Sequence, residues 1–236
     1  MIESLDNKKV KNWTKLNNKK YRTSNYLISD DELIIKAFNN GYLDTLIYYD
    51  KPLIEFENSY EVSKPVLNKI SSDSINNIGV GKFIKLNNDY KDLIIMGDHL
   101  QDPSNIGRII YFSKLFNFDN VVLSKDSADI YNNNCIKESR GEIFTQNINI
   151  ADLKEEILKL KDNGYKIYAT GLSNNNYQLE NIKQQDKLVF ILGNEGSGVS
   201  KEIMDLCDGI LKIDMANIDS LNVSMAGAII MQYYQK

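Results

Sequence analysis

Uninterrupted apolar runs alternate with amphipathic helical segments from residue 89 to residue 236, and no other feature constrains the fold as much. A strand that is apolar on both faces belongs inside a covered sheet, because neither face can meet water. Helices between such strands return the chain across the sheet, which makes neighbouring strands parallel. The sequence therefore predicts an α/β domain with a parallel sheet covered on both sides. The predicted strands are residues 92–96, 120–124, 165–170, 187–193 and 209–214.

A shorter alternation of helices and strands occupies the beginning of the chain. The polar segment NNDYKD, at 87–92, separates it from the second series. A chain of 236 residues is long enough for two modest domains, each with a core of its own. We therefore expect a small N-terminal α/β domain at 1–88 and a larger domain at 89–236.

The most basic segment of the chain, residues 8–22, contains seven Lys or Arg and no acidic residue. The whole chain has a net charge of −4, which argues against polyanion binding by the entire surface. The segment, with Trp13 and Tyr21 interleaved, is either a solvated basic helix or a surface that neutralises phosphates and stacks on bases. On the second interpretation, its RNA-binding residues are Lys11, Lys15, Lys19, Lys20 and Arg22.

Metal and membrane roles have little support in the sequence. His99 is the single histidine, and Cys135 and Cys207 stand far apart without a CxxC motif, so we expect no zinc site and treat both cysteines as small buried hydrophobes. No apolar run approaches the roughly 18 residues of a membrane helix, and the first residues lack the pattern of a signal segment. We therefore expect a cytoplasmic protein that uses neither a metal nor a membrane.

Three polar loops follow predicted strands: DHLQDPSNIG at 98–107, GNEGSGVS at 193–200 and MANIDSLNVS at 215–224. Ligands of open parallel sheets collect beyond the carboxyl ends of the strands, so these loops form the candidate site. The glycines of GNEGSG run G-x-x-G-x-G, which is not the dinucleotide fingerprint, and the chain has no P-loop. They indicate either a tight turn or a backbone that approaches a flat ligand. In the last loop, Ser220 is predicted to cap a helix, with Asn222 just inside it.

These loops, in this order and wording, resemble the SpoU/TrmH family of SPOUT methyltransferases, which methylate ribose 2′-hydroxyls of RNA. The shared motifs are N-x-G after an acidic-Pro turn (105–107), LGNEGSGVS (192–200) and SLNVSMAGAI (220–229). The resemblance covers nearly the whole chain. In NNKKYRTSNYLISDDELIIKAF (17–38) and VSKPVLNKISS (62–72), the first domain resembles that family's substrate-binding domain, which is similar to a ribosomal-protein RNA-binding fold. It implies a deep trefoil knot in the C-terminal domain. It also implies S-adenosylmethionine as cofactor, a homodimer, and structured RNA, above all ribosomal RNA, as substrate.

The resemblance further implies which residues form the site, all within the three loops or at the ends of predicted strands. The methyl-transfer site would contain Asn105, Glu195, Ser220 and Asn222. The cofactor would be held by Thr170, Leu192, Gly193, Asn194, Gly196, Ile213, Met215 and Leu221.

The sequence departs from the family at the residue to which catalysis is usually assigned. That arginine stands six residues after the motif asparagine, where this chain has Tyr111. Tyr111 is either an acid–base group or a packing or base-stacking residue. Arg108 lies one helical turn earlier and is either the replacement cation or a surface or phosphate contact. Arg140 is a third candidate, as a compensating cation or an RNA contact, in a stretch where Lys137 replaces another family arginine.

A ribose hydroxyl is a weak nucleophile at neutral pH, so methyl transfer needs a proton acceptor or a cation that favours the alkoxide, held in line with the methyl group. Two hypotheses follow. The first is an S-adenosylmethionine-dependent 2′-O-methyltransferase that acts on structured RNA. The second is a diverged member that binds RNA, with or without the cofactor, and transfers no methyl group because Tyr111 replaces the arginine. The intact second and third loops favour the first hypothesis.

Overall fold

The chain divides into two compact units. The computed structural model describes residues 1–71, 75–171, 176–184, 186–214 and 221–235. The first unit comprises Met1–Lys85 and Tyr131–Thr145, and the second comprises Leu86–Ile130 and Gln146–Lys236. The predicted division after residue 88 lies close to the first of these boundaries. The segment 131–145, which we expected in the C-terminal domain, packs with the N-terminal unit.

A four-stranded sheet with helices packed against it forms the first unit. Its strands are β1 (Asn25–Ile28), β2 (Leu43–Tyr48), β3 (Ser59–Glu61) and β4 (Asn77–Lys82). The sheet order is β1-β4-β2-β3, in which β4 is antiparallel to both neighbours and β3 is parallel to β2. Its helices are α1 (Lys8–Lys15), α2 (Asp31–Asn39), α3 (Lys64–Ile70) and, in the second segment, α5 (Asn133–Glu138).

A seven-stranded sheet, parallel in every described pair, forms the second unit. Its strands are β5 (Leu93–Gly97), β6 (Asn120–Ser124), β7 (Asn147–Ala151), β8 (Lys166–Thr170), β9 (Asn176–Tyr177), β10 (Leu188–Leu192) and β11 (Gly209–Leu211). Their order is β7-β6-β5-β10-β8-β11-β9. Its helices are α4 (Pro103–Leu115), α6 (Leu153–Asp162), α7 (Lys201–Met204) and α8 (Val223–Tyr234). The predicted α/β fold with a parallel sheet is confirmed, and the trefoil knot stays a prediction.

The sequence signals of the second unit have direct structural counterparts. Strands β5, β6 and β10 are buried at all five of their positions, which explains their continuous apolar sequence. Asp102 caps α4 by accepting a hydrogen bond from the N–H of Ser104, and Pro103 occupies the first helical position. Gly164, with φ +84°, ends α6 in the left-handed conformation that favours glycine. None of the described helices is long and apolar enough to cross a membrane.

Candidate active site

A cavity of about 250 Å³ opens in the second unit beyond the carboxyl ends of β8, β10 and β11. Parallel sheets collect their ligands at this position. Leu211 and Val223 contribute apolar wall, and the glycine-rich loop at 193–200 contributes polar backbone. The predicted cofactor-binding residues that line this cavity are Thr170, Gly193, Asn194, Gly196, Ile213 and Leu221.

Two predicted cofactor-binding residues are not placed in the cavity wall. Leu192 is fully buried in β10, and its carbonyl oxygen accepts a hydrogen bond from the N–H of Asp98 at 2.8 Å. Leu192 therefore supports the site by holding Asp98. Met215 lies outside the described residues, as does the predicted catalytic residue Ser220.

The glycine-rich loop is a compact turn whose first position requires glycine. Asn194 and Gly198 exchange backbone hydrogen bonds of 2.9 and 3.0 Å, and Gly198 has φ +72°. The side-chain oxygen of Asn194 also accepts from the N–H of Gly196 at 2.9 Å. A Cβ on Gly193 would collide with the backbone of Gly198 and Val199. The glycines of this motif thus serve a tight turn and the cavity wall together.

Three of the predicted catalytic residues form one hydrogen-bonded chain beside the cavity. Asn105, on the first turn of α4 and only 2% exposed, donates from its side-chain amide to Glu195 Oε1 at 3.0 Å. Its side-chain oxygen accepts from the amide of Asn222 at 3.1 Å. Glu195 itself lines the cavity. The structure therefore brings the three candidate loops together at one point.

The carboxylate of Glu195 is held in its ionised form. The backbone N–H groups of Gln101 and Asp102 donate to it at 3.3 Å each, in addition to Asn105. Partial burial acts to raise the pKa of Glu195, but the hydrogen bonds from Asn105 and the backbone together outweigh it and hold the pKa below its usual value. Since a lowered pKa keeps the group ionised at neutral pH, Glu195 accepts hydrogen bonds there and does not act as a proton donor.

The N-cap of α8 is Asn222, so the predicted position of Asn222 inside the helix, with Ser220 as the cap, is wrong. The Asn222 side-chain oxygen accepts from the N–H of Ser224 at 2.9 Å and from its hydroxyl at 2.6 Å. Serine and asparagine are both good N-cap residues, so their positions in the sequence did not show which of the two caps α8. Because the oxygen of Asn222 caps the helix, its NH₂ group is directed to Asn105.

We expect Asn222→Ala to lower the free energy of unfolding by about 1 kcal/mol, the usual value of an N-cap. Asn222→Ser keeps a capping oxygen but has no amide to donate to Asn105, and because position 222 is exposed, water can replace that amide; the variant should stay within about 0.5 kcal/mol of wild type. Urea unfolding of both variants measures the difference. An equal loss in the two variants would mean that the bond to Asn105, and not the cap, is what Asn222 contributes to stability.

Arg108 and Tyr111 both lie half-buried on α4, after Asn105. The ring of Tyr111 contacts that of Phe112, with centroids 5.6 Å apart. An α-helix turns by about 100° per residue, so Arg108 stands roughly 60° around the axis from Asn105, and Tyr111 roughly 120°. Arg108 therefore shares the helix face of Asn105 more closely than Tyr111 does.

The aromatic residues of the basic segment have opposite positions in the first unit. Trp13 is buried against the ring of Tyr60, with centroids 5.5 Å apart, so the interpretation in which aromatic rings of this segment stack on bases does not hold for Trp13. Val10 and Trp13 are one turn apart and together form the inward face of α1. Tyr21 is 46% exposed, and Lys15 Nζ lies over its ring, 5.6 Å from the centroid.

The basic side chains of the segment also differ. Arg22 donates to the backbone carbonyls of Leu16, Asn17 and Tyr131 at 2.7 to 3.0 Å, which favours a structural role over the predicted RNA contact. Lys11 is exposed and pairs with Asp6 at 2.8 Å. The other predicted RNA-binding residues, all exposed in the first unit, are Lys15, Lys19, Lys20 and Arg140.

The site residues that we did not predict hold the loops in place. Asp98 is 2% exposed, and its Oδ2 accepts from the N–H of Ser200 at 2.8 Å. The carbonyl oxygen of His99 accepts from the side-chain amide of Asn194 at 2.8 Å. The sequence could have identified both residues, because they follow directly after the apolar strand β5. A polar side chain that is buried at such a position needs hydrogen-bond partners.

Comparisons with known proteins find similar sequences and a similar fold. A model of the SpoU rRNA Methylase family matches residues 92–232. A Bacillus subtilis protein named 23S rRNA (guanosine(2553)-2′-O)-methyltransferase RlmP is 29% identical, over 98% of each chain. The mitochondrial rRNA methyltransferase 1 of Dictyostelium discoideum is 30% identical over 84% of this chain and 41% of its own length. The AdoMet-bound rRNA methyltransferase of Sinorhizobium meliloti shares the fold, with a TM-score of 0.87 over 99% of this chain and 96% of that one at 22% identity.

Proposed function

The chain belongs to the SpoU rRNA methylase family, and on this premise we propose that it transfers a methyl group from S-adenosylmethionine to a ribose 2′-hydroxyl of ribosomal RNA. The observation that carries the proposal is the hydrogen-bonded chain from Glu195 through Asn105 to Asn222. One end of that chain lines the cavity, and the other caps α8. The proposed reaction thus has a polar centre in which buried Asn105 holds two exposed residues, Glu195 and Asn222, beside the cavity.

S-adenosylmethionine fits the residues that are present. Its adenine ring suits the apolar side chains of Leu211, Ile213, Leu221 and Val223. Gly193 lines the cavity, and the lack of a Cβ there lets the backbone of Gly198 and Val199 pack closely against it. When bound, the cofactor supplies an electrophilic methyl group on a positively charged sulfur.

The polar residues orient the acceptor and manage charge. Glu195 is an ionised acceptor with three donors around it, so it keeps one fixed position beside the cavity. An ionised carboxylate in such a position accepts a hydrogen bond from an incoming hydroxyl and favours its deprotonation. Asn105 is buried and bonded on both sides, which fixes the direction of its amide. Preorganised groups of this kind contribute to catalysis because they need no rearrangement in the transition state.

The proposed function is tested with total RNA from a strain that lacks this protein. We expect the purified protein to transfer labelled methyl from S-adenosylmethionine to a ribose 2′-oxygen of ribosomal RNA. RNA from the parent strain is the matched control, because its site is already methylated and should take up no label. Tight cofactor binding without transfer to any RNA would support the alternative, a diverged RNA-binding member of the family.

For the missing family arginine, we propose Arg108 as the cation that favours the 2′-alkoxide. It lies one turn after Asn105 and nearer to its helix face than Tyr111. Arg108→Ala should lower the rate of methyl transfer about 100-fold, the usual effect of removing one transition-state donor. Arg108→Lys should keep part of the rate because it keeps the charge, although it loses the planar fork. Single-turnover assays measure both.

Tyr111→Phe is the matched comparison on the same helix. Since Tyr111 contacts Phe112 with its ring, we expect the phenylalanine variant to stay within about threefold of wild type. An unchanged rate in Arg108→Ala would remove Arg108 from the mechanism. In that case Arg140→Ala tests the third cation in the same assay.

Substrate binding and assembly complete the proposal. We assign RNA binding to the first unit through Lys15, Lys19, Lys20 and Arg140, with Tyr21 available for stacking. We also propose a homodimer through α8, whose residues Met225, Ile229 and Tyr233 are exposed at a spacing of four on one face. Because the relative that matches over 98% of each chain is a bacterial rRNA methyltransferase, we also propose that the reaction takes place in the cytoplasm.

A further inference from the structure

The ring of His99 lies between two carboxylates in the second unit. Its Nδ1 is 2.6 Å from Asp98 Oδ1, and its Nε2 is 3.0 Å from Asp126 Oδ2. His99 has φ +53°, a left-handed conformation that surrounding contacts must enforce in a residue with a Cβ. Its N–H donates to Ser124 Oγ at 2.9 Å. The backbone of His99 is therefore held at its N–H, and its half-exposed ring bridges buried Asp98 and exposed Asp126.

The dipeptide Asp98–His99 holds the glycine-rich loop at both ends. The side-chain amide of Asn194, at the start of the loop, donates to the His99 carbonyl oxygen at 2.8 Å. The N–H of Ser200, at the end, donates to Asp98 Oδ2 at 2.8 Å. Asp98 thus faces the ring with one oxygen and the loop with the other, so a change in the charge of the ring acts on an anchor of the loop.

Only the protonated form of His99 satisfies both carboxylates. A neutral imidazole has one donor and one lone pair, so one nitrogen would direct its lone pair at a carboxylate oxygen. The hydrogen bond with Asp98, aided by the charges of Asp98 and Asp126, raises the pKa of His99 against the opposing effect of burial. The other charged residues that line the pocket around the ring are Lys125, Asp152, Lys154 and Glu202, of which Lys154 and Glu202 form an ion pair.

We propose that protonated His99 is a positioning residue, whose bridge between Asp98 and Asp126 locks the glycine-rich loop in the shape that receives the cofactor. The statement about the cofactor rests on the proposed function, whereas the lock is a property of the chain alone. Because the pKa of His99 is higher in the folded than in the unfolded chain, the lock is complete below a pH of about 6.5. It is lost as the pH rises through the folded value.

The first test is the titration of the ring. His99 is the only histidine in the chain, so the NMR signals of the protons on its ring carbons do not overlap with those of another histidine. We expect a midpoint above about 6.5 in the wild type and a lower midpoint in Asp126→Asn, which removes one of the two facing charges. A wild-type midpoint at or below that value, or no change in Asp126→Asn, would overturn the bridge.

The second test is hydrogen exchange of the backbone amides at 194–200 in His99→Asn. Asparagine tolerates a left-handed backbone and does not titrate, so the variant removes the bridge and keeps the turn. At a pH of about 6 we expect protection factors about fivefold below wild type, the effect of one net hydrogen bond. Toward a pH of about 9 the wild type should fall to the level of the variant, which should itself stay constant.

Lys125→Gln is the charge control for the exchange experiment. It removes an exposed charge beside Asp126 without touching the bridge, and it should keep wild-type protection. Cofactor affinity should follow the same pattern, about fivefold weaker for His99→Asn at a pH of about 6. Wild-type protection in His99→Asn would overturn the lock. A wild type that binds no S-adenosylmethionine would instead contradict the proposed function, while the exchange data would still decide on the lock.

Discussion

Gly193→Ala should weaken the binding of S-adenosylmethionine by about 100-fold, near the upper end of the usual cost of overpacking. The added Cβ would collide with the backbone of Gly198 and Val199, and a backbone cannot move aside as a flexible side chain can. The Asn194–Gly198 pair would have to open, and the loop that lines the cavity would open with it. Isothermal titration with the cofactor measures the loss, and methyl transfer at low cofactor concentration should fall in parallel.

Gly196→Ala separates this collision from a general effect of alanine in the loop. The nearest atom to a Cβ on Gly196 is Asn194 Oδ1 at 3.5 Å, which is an ordinary contact. We therefore expect its affinity to stay within about fivefold of wild type. Similar losses in both variants would mean that the loop tolerates no added side chain, and that the close approach at Gly193 has no special part. Urea unfolding checks that both variants are folded, and we expect a loss of stability only in Gly193→Ala, because Gly193 is buried and Gly196 is exposed.

The second unit was largely predictable because its strands are buried on both faces. Continuous apolar sequence in β5, β6 and β10 indicated central parallel strands, and the polar loops that follow them had to meet at one edge of the sheet. The strand β7 was missed because it lies at the edge of the sheet. Its sequence, NINIA, has no continuous apolar run of the kind that identified the buried strands, because an edge strand does not need two apolar faces.

The features that could not be predicted depend on contacts between distant parts of the chain. The segment 131–145 is short and polar, and nothing in its own sequence indicates that it packs with the first unit. The lysines around Trp13 in the sequence indicated a surface position. In the structure, Trp13 packs with Val10 and Tyr60 in the core of the first unit. For the N-cap of α8, the sequence offered two good capping residues, Ser220 and Asn222, and the structure has Asn222. In each case the partner, and not the local pattern, decided the outcome.

The centre of the site is Asn105, which joins two loops through opposite ends of one side chain. Its amide donates to Glu195, and its oxygen accepts from Asn222. Asn105→Asp keeps the acceptor for Asn222 and replaces the donor toward Glu195 with a second carboxylate. Two carboxylates at about 3 Å cannot both stay ionised without strong repulsion, so one pKa of the pair must rise.

We expect Asn105→Asp to lower the rate of methyl transfer by roughly 100- to 1,000-fold at a pH of about 8, as the loss of one preorganised donor does in other enzymes. As the pH falls, a proton shared by the pair restores a donor toward Glu195, so part of the activity should return near a pH of about 6. The wild type should lose rate over the same interval, because a more acidic solution opposes deprotonation of the ribose hydroxyl. Single-turnover rates at saturating cofactor give both profiles.

Asn105→Ala decides whether the recovery comes from the shared proton. It removes donor and acceptor together, so it should be as slow as Asn105→Asp at high pH and should recover nothing on acidification. Cofactor affinity should stay within about tenfold of wild type in both variants, since Asn105 is not among the residues that line the cavity. Recovery of the alanine variant at low pH, or a wild-type rate in either variant, would show that the bond from Asn105 to Glu195 is not required for methyl transfer.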